Sequence, residues 1–257
     1  MSGFMEYVPG DSALHRLNPV AKLGFSFVFT LACFCTNNLA YLVAMLAVAY
    51  VLATSCGMVR QTLGLTRAIL LFSVLLALVQ VLTTPEGIKL VPLPWGYVGT
   101  TGLLAGLATM VRLTAAAIPL FLTFYVTKIN DITNSVVKVL HVPYKYAFTF
   151  SSTVHFIPVF MNDMQDIMEA QTARGVEFDQ GGIIQKVRLM APLAVPLLVG
   201  SVRRTNSAAI AAEVRGFNLR TRESGFKEYP FKPADWVALL VALVFLALAI
   251  ALNVAWG

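Results

Sequence analysis

The sequence predicts an all-α integral membrane protein, with about five transmembrane helices and a further cytoplasmic or interfacial domain of long helices. Of its 257 residues, 58% are hydrophobic and only 12% are charged, whereas soluble domains carry roughly 25% charged residues. The mean hydropathy is +0.74. Five apolar runs come close to the roughly 20 residues that a helix needs to cross a bilayer. One long polar stretch separates the fourth run from the fifth.

Four segments are expected from this pattern. Residues 1–19 form a polar N-terminal arm that starts no apolar run, so we expect no cleavable signal peptide. Residues 20–127 hold the first four spans, residues 128–233 form the polar helical domain, and residues 234–257 hold the fifth span. The spans themselves are predicted at 20–36, 39–56, 68–84, 103–127 and 234–256.

Turn-forming and charged residues set the ends of the first spans. Pro19 fits the first turn of a helix that has Asn18 as its N-cap. Arg60 and Arg67 are expected in a loop between the second and third spans. Three prolines and two aromatic residues fall within residues 85–100. That segment is interpreted as a re-entrant or interfacial loop, with its aromatic residues, Trp95 and Tyr97, at the depth of the lipid headgroups.

Arg112 lies deep within the fourth predicted span. An arginine at that depth must find a partner or extend to the membrane surface. Apart from Asp235 at the start of the last span, the spans contain no Asp or Glu. We therefore expect a carbonyl or a polar side chain as its partner, and a structural role is favoured over a place in a substrate path.

The distribution of charge predicts the orientation in the membrane. Thirteen of the 19 Lys and Arg residues lie between Lys128 and Lys232, whereas Lys89 is the sole cation in a predicted loop on the opposite side. Because cytoplasmic loops are rich in Lys and Arg, the N-terminus and the polar domain are placed in the cytoplasm and the C-terminus outside. This also explains the net charge of +6 without nucleic acid as a partner.

The polar domain is predicted to contain one short and two long helices. The short helix covers about 131–140, and the first long helix covers 146–174, with polar and apolar residues at amphipathic spacing. The second long helix covers 183–215. Pro192 and Pro196 interrupt this helix and are expected to kink it, so they form a candidate hinge.

Each long helix ends in a similar motif, Ala173-Arg174-Gly175 in the first and Val214-Arg215-Gly216 in the second. Glycine after the last turn is the usual C-cap, and arginine complements the helix dipole there, so one copy alone would indicate only a helix end. Two copies in one domain suggest two projections, that is, two helix ends that bind equivalent sites on a partner with two-fold symmetry. Each arginine would pair with a carboxylate of that partner. Acidic residues of this chain could instead hold the arginines: Glu169, Glu177 and Glu213.

Several function classes lack the residues that they require. The sequence contains no Walker A motif and no H-E-x-x-H zinc motif, and its spans lack the carboxylates expected of an ion-coupled pump. We expect no catalytic site and no bound metal, since the histidines are scattered and the cysteines lie in apolar segments: His15, His141, His155, Cys33, Cys35 and Cys56. A membrane protein without its own energy source, but with two projections, is interpreted as a mechanical coupler to a dimeric ATPase.

At these residues the chain resembles the T component of energy-coupling factor (ECF) transporters, the EcfT/CbiQ family of vitamin and metal uptake systems. The resemblance runs nearly end to end. It includes Tyr7-Val-Pro9-Gly10-Asp11-Ser12 and His15-Arg16-Leu17-Asn18-Pro19 in the N-terminal arm, and the two arginine motifs. The second motif has Val214 where the first has Ala173.

The resemblance implies a non-catalytic subunit of a four-part importer in a bacterial or archaeal cell membrane. Its partners would be two ABC-type ATPases, which bind ATP and Mg²⁺, and one S component, which binds a vitamin or another micronutrient. The long helices would form a coupling domain whose Arg174 and Arg215 dock into the two ATPases. The sequence does not name the substrate, and it does not decide whether the subunit is shared among several S components.

Three other functions are compatible with parts of the sequence. A permease subunit of another ABC transporter also contacts ATPases, but it works as one of a pair and lines the pore itself. A membrane-embedded hydrolase would need clustered His, Asp or Glu at the ends of its spans. A passive membrane scaffold would have no ATPase partners.

Overall fold

The computed structural model describes residues 10, 12–84, 88–93, 96–176, 178, 182, 188–219 and 228–256. The chain forms two compact units. The first comprises Met1–Ser135 together with Tyr229–Gly257, and the second comprises Val136–Glu228. The sequence placed the corresponding boundaries at residues 128 and 233, so the second unit is slightly shorter at both ends than the predicted polar domain.

The first unit is built from apolar helices, which correspond to the five predicted spans. Within the described residues, three helices are long and apolar enough to cross a membrane, and two further apolar helices are shorter. The prediction of an all-α membrane protein is therefore confirmed. The helices of this unit are α1 (Ala13–Arg16), α2 (Pro19–Phe34), α3 (Leu39–Ser55), α4 (Val59–Thr83), α5 (Thr100–Val126) and α9 (Pro233–Trp256), of which α2 and α3 are the shorter apolar pair.

The second unit contains the two long helices of the polar domain. These are α7 (Tyr144–Ala173) and α8 (Ala194–Val214). The short helix predicted before them is α6 (Ile129–Leu140), which begins in the first unit and ends in the second.

The expected loop with Arg60 and Arg67 is wrong, because both residues lie inside α4. Only residues 56–58 separate α3 from α4. Arginine has a high helix propensity, and its long side chain can keep the charge in a polar environment while the backbone remains helical. Charge alone therefore placed the start of this helix too far along the chain.

The segment interpreted as a re-entrant or interfacial loop contains a short β-hairpin. Strands β1 (Lys89–Leu93) and β2 (Gly96–Gly99) pair in the antiparallel direction. The base of the hairpin is closed by two hydrogen bonds, from Thr100 N to Ile88 O and from Ile88 N to Thr100 Oγ1. Trp95 lies outside the described residues, so its depth in the membrane stays a prediction.

Helices α4 and α5 approach each other closely at two glycines of α5. A methyl group at Gly102 would lie 2.6 Å from the Thr84 carbonyl oxygen, and one at Gly106 would lie 3.2 Å from the Ala77 carbonyl oxygen. Small residues spaced four apart are a common way to bring membrane helices together. The two glycines thus let α5 pack against the backbone of α4.

Arg112 finds the kind of partner that the sequence predicted. Its Nη2 atom donates to the Thr36 carbonyl oxygen at 2.7 Å and to Asn37 Oδ1 at 2.8 Å. Thr36 and Asn37 form the turn between α2 and α3, so the arginine closes this turn from the middle of α5. The expectation was a carbonyl or a polar side chain as its partner, and Arg112 has one of each.

The contact of Arg112 with the α2–α3 turn also shows how far α2 and α3 extend along α5. At the start of α2, Lys22 Nζ donates to Thr127 Oγ1 just after the end of α5. The α2–α3 turn then meets Arg112, fifteen residues earlier in α5, which corresponds to about 22 Å of helix. The remaining N-terminal part of α5 continues beyond the α2–α3 turn and packs against α4 through Gly102 and Gly106.

A buried polar cluster joins the starts of α2 and α9. The Asp235 carboxylate is fully buried. Its oxygens accept hydrogen bonds from the backbone N–H groups of Asn18 and Lys232, both at 2.7 Å. The Asn18 side chain accepts from Val20 N, which confirms it as the N-cap of α2, and donates to the Tyr229 carbonyl oxygen at 2.9 Å.

Tyr229 extends this cluster to the start of α6. Its hydroxyl donates to Asp131 Oδ1 at 2.9 Å. Burial, and then the hydrogen bond to Asp131, raises the pKa of Tyr229. The chain leaves the first unit a few residues after Asp131 and returns to it at Tyr229. The hydrogen bond between these two residues therefore links the two points.

We predict that Asp235→Ala strongly destabilises the protein. The substitution leaves the buried N–H group of Asn18 without an acceptor, at about 1–3 kcal/mol, and also removes the partly buried hydrogen bond from Lys232 N. Thermal unfolding of the purified protein in detergent should show a clear loss of stability. Asp235→Asn keeps one acceptor oxygen and should lose less, and Asp166→Ala removes an exposed carboxylate and should have little effect. Equal stability of Asp235→Ala and Asp166→Ala would contradict this role.

Candidate docking site

The first arginine motif ends α7, as its sequence predicts. Arg174 is the C-cap of the helix, and Gly175 comes next with a φ of +90°. Gly175 N donates to Thr172 O, and Val176 N donates to Gln171 O. This pair of bonds is the Schellman motif, and the positive φ favours glycine over any other residue at this position.

The second motif ends α8 in a related way. Arg215 is the C-cap, Gly216 has a φ of +70°, and Gly216 N donates to Glu213 O at 2.9 Å. The chain then continues into a short 3-10 turn at Phe217–Leu219. The two ends therefore share the position of Arg and Gly but differ in the conformation of the residues after the glycine.

Both arginine side chains are exposed. Within the described residues, neither Arg174 nor Arg215 makes a side-chain hydrogen bond or an ion pair. Glu169 accepts a hydrogen bond from Gln165 instead, and Glu213, which is also described, forms no ion pair with either arginine. Of the acidic residues that could have held the arginines within the chain, only Glu177 lies outside the described residues.

Three contacts show that α7 and α8 run antiparallel. Phe217, just after α8, packs against Tyr144 and Phe148 at the start of α7, with ring centroids 5.6 and 4.8 Å away. Arg204 pairs with Asp163 at the middle. At the other end, residues from the end of α7 and from the turn before α8 line one cavity of about 730 Å³, among them Gln171 and Leu193.

The ion pair lies midway between the two arginine motifs. Arg204 Nη1 and Nη2 donate to the two Asp163 carboxylate oxygens at 2.6 and 3.1 Å. The hydrogen bond from Arg204 holds the pKa of Asp163 below its ordinary value. Eleven residues separate Asp163 from Arg174, and eleven also separate Arg204 from Arg215. Since the helices are antiparallel, the two motifs lie in opposite directions from the pair, each about 16 Å away along its helix.

The candidate hinge prolines lie at the start of α8 and not inside it. Pro192 belongs to a 3-10 turn, Ala191–Leu193, and Pro196 is the third residue of α8. A proline in the first helical turn removes no hydrogen bond, because the N–H groups there have no partner within the helix. The predicted interruption is therefore confined to the turn at Pro192, and α8 continues to Val214 without a further proline. The role as a hinge stays a prediction.

The long helices bury little of their own surface. Both are described over their full length, and Ala147 of α7 is their one buried residue. Large apolar side chains are exposed on each of them: Tyr146, Phe148, Phe150, Ile157, Met161 and Met164 on α7, and Val195, Leu198, Val199, Val202, Ile210 and Val214 on α8. Exposed apolar surface of this extent is typical of contact with a partner or with lipid.

Comparison with known proteins supports the resemblance seen in the sequence. A family model described as "CbiQ: Cobalt transport protein" matches residues 10–225. The chain belongs to the CbiQ/EcfT family. The energy-coupling factor transporter transmembrane protein EcfT of Exiguobacterium sibiricum is 31% identical over 93% of this chain and 94% of its own length. The EcfT proteins of Listeria innocua and Clostridium kluyveri are 30% and 28% identical, over 94% and 98% of this chain and 94% and 97% of their own lengths.

The match to the CbiQ/EcfT family covers both arginine motifs and most of the first unit. It thus extends from Asn18 and Lys22, which take part in the buried contacts of the first unit, to Arg174 and Arg215, which are exposed. The match therefore includes α2 to α8, whereas α9 lies beyond its end.

The pairing of Asp163 with Arg204 in this family member was not predicted from the sequence. From the sequence, each long helix is predicted separately, and no partner is assigned to Asp163 or Arg204. One signal was available: when the two helices are aligned on their Arg-Gly ends, Asp163 and Arg204 occupy the same position with opposite charge. The direction of the helix pair, which brings them together, required the structure.

We predict that Gly175→Ala and Gly216→Ala each destabilise their helix end. A side chain at positive φ costs roughly 1–2 kcal/mol. Gly200→Ala is the matched control, because Gly200 lies inside α8 with no atom near an added Cβ, and alanine there should stabilise the helix by about 1 kcal/mol. Hydrogen–deuterium exchange of the last turns of α7 and α8 measures both effects. Equal protection in all three variants would contradict the assignment of the caps.

Proposed function

We propose that this protein is the transmembrane energy-coupling subunit of an ECF-type ABC importer. In this proposal it transmits the ATP-driven motion of two ATPase subunits to an S component that takes up a vitamin or another micronutrient. The observation that carries the proposal is the pair of exposed arginine ends at opposite ends of an antiparallel helix pair. Membership in the CbiQ/EcfT family supports it.

Each arginine end would insert into a groove of one ATPase. The guanidinium group can make two parallel hydrogen bonds with a carboxylate, and an arginine that has no partner within the described part of its own chain is available for one. The approximate two-fold relation of the ends about the Asp163–Arg204 pair suits two copies of the same ATPase, because identical subunits present identical grooves.

The role of each subunit is inferred from two features of this chain: its sequence has no Walker A motif for ATP, and its helices α7 and α8 expose apolar side chains. ATP and Mg²⁺ would be bound by the ATPases, and this subunit would be non-catalytic and would bind no cofactor of its own. In this proposal the multi-pass chain places its N-terminus and its polar domain in the cytoplasm, where the ATPases lie. The exposed apolar surface of α7 and α8 would then contact the S component.

Co-purification with a tagged chain tests the composition of the complex. We expect one copy of this chain with two ATPase subunits and one small membrane protein, measured by native mass spectrometry. Two copies of this chain with two ATPases, and no further membrane protein, would instead indicate a permease of the ordinary ABC type and would overturn the proposal.

We predict that replacing Arg174 and Arg215 together by alanine abolishes ATP-driven uptake. Removing one side of a buried charge pair typically costs about 3–5 kcal/mol, which corresponds to a loss of affinity of about 100-fold or more at each ATPase. Pull-down of the ATPases and uptake into proteoliposomes measure the effect. Arg203→Ala, which removes an exposed arginine of α8 outside the motif, is the control. A double variant that still binds both ATPases and transports would refute the docking role.

We predict that Pro192→Ala combined with Pro196→Ala weakens the coupling of ATP hydrolysis to uptake. Without Pro192, the helical residues 188–190 can continue into α8, so the turn between them becomes a stiff helix. The amount of substrate taken up per ATP hydrolysed should fall, while the ATPases remain bound. Pro158→Ala, at the proline inside α7, is the control. Unchanged coupling in the double proline variant would remove the hinge role.

A further inference from the structure

Asp163 of α7 and Arg204 of α8 form an ion pair between the two long helices. We propose that their ion pair fixes the register of α7 against α8 and thereby holds Arg174 and Arg215 at equal distances from the centre of the helix pair. The need for equal distances rests on the proposed function, in which two identical ATPases receive the two arginines. Asp163 and Arg204 are positioning residues in this proposal and touch neither ATPase.

Apart from the aromatic contacts of Phe217 with the start of α7, packing between the two helices provides little else that could set their register. Ala147 is the one residue buried in either helix, and apolar contact has no preferred direction. The Arg204 fork, in contrast, binds both oxygens of Asp163, and this bidentate geometry fixes distance and orientation together. No other ion pair joins α7 to α8, both of which the structure describes from end to end.

The position of the pair determines what a loss of register would do. Antiparallel helices that slip by one turn move about 5 Å relative to each other. The ends of α7 and α8 lie on opposite sides of the pair, so such a slip changes their separation by the same amount. An arginine that moves about 5 Å is no longer within hydrogen-bonding distance of a fixed carboxylate, and two identical grooves could not both be filled.

The partial exposure of the pair makes the proposal testable without unfolding the protein. The side chains of Arg204 and Asp163 are 36% and 27% exposed, and ion pairs near the surface contribute little to the stability of a fold. Variants at these positions should therefore fold, and an effect on the position of the helix ends would be separate from an effect on stability. Charged pairs that specify register are known from other helical proteins.

A distance measurement on the full chain in lipid nanodiscs tests the register directly. Spin labels are attached at Ala170→Cys and Ala211→Cys, each four residues before its arginine and both exposed, after the native cysteines have been replaced: Cys33, Cys35 and Cys56. The unaltered pair should give one narrow distance distribution. Asp163→Arg alone and Arg204→Asp alone should broaden it or shift it by about 5 Å.

The reciprocal variant, with Asp163→Arg and Arg204→Asp together, should restore the narrow distribution, because the pair is rebuilt with its charges exchanged. Asp166→Ala and Arg203→Ala remove exposed charges from the same two helices and should leave it unchanged. Single variants with the original distribution would overturn the proposal. So would a reciprocal variant as broad as the single ones, because the effect would then come from local disruption.

A second measurement connects the register to transport. In the assembled complex, each single charge reversal should lower the amount of substrate taken up per ATP hydrolysed, and the reciprocal variant should recover it. Normal coupling in the single variants would overturn the functional part of the inference. If the variant without Arg174 and Arg215 still transports, the proposed function fails, whereas the distance measurement on the chain alone still decides whether the ion pair sets the register.

Discussion

The hydrogen bonds of the buried Asp235 carboxylate join the N-terminal and C-terminal segments of the first unit. This carboxylate accepts N–H groups from Asn18 and Lys232, so the beginnings of α2 and α9 are held by one side chain although 217 residues separate Asn18 from Asp235. A buried carboxylate without these donors would be costly, and the buried Asn18 N–H would lose its acceptor without the carboxylate. Tyr229 and Asp131 complete the arrangement by tying the two chain connections between the units to the same place.

Two pairs of polar residues within the family match have opposite surroundings. Asn18 and Lys22 are buried, and their polar atoms are paired within the fold. Arg174 and Arg215 are exposed and find no partner in the described part of their own chain. The first pair therefore belongs to the interior of the fold, whereas the second pair is exposed to contacts outside the chain.

The sequence predicted features that depend on neighbouring residues and missed those that depend on distant ones. The N-cap at Asn18 and the glycine ends of α7 and α8 were predicted because capping is determined within a few residues. The start of α4 was wrong because charge was read as a loop signal, although Arg60 and Arg67 fit a helix. For Arg112 the kind of partner could be inferred from the spans, but its position in the α2–α3 turn could not. The pairing of Asp163 with Arg204 depended on the direction of two helices, which local signals do not contain.

The exposed apolar side chains of α7 and α8 also have a consequence for a copy of the protein that has not yet bound its proposed partners. A newly made copy shows a row of large apolar side chains that nothing in its own helices covers. Chaperones and proteases act on such surfaces, so under the proposed function a copy without partners would be removed, while an assembled copy would be protected. The amount of this subunit in the cell would then follow the supply of its partners, and balanced subunit numbers would need no separate control of synthesis.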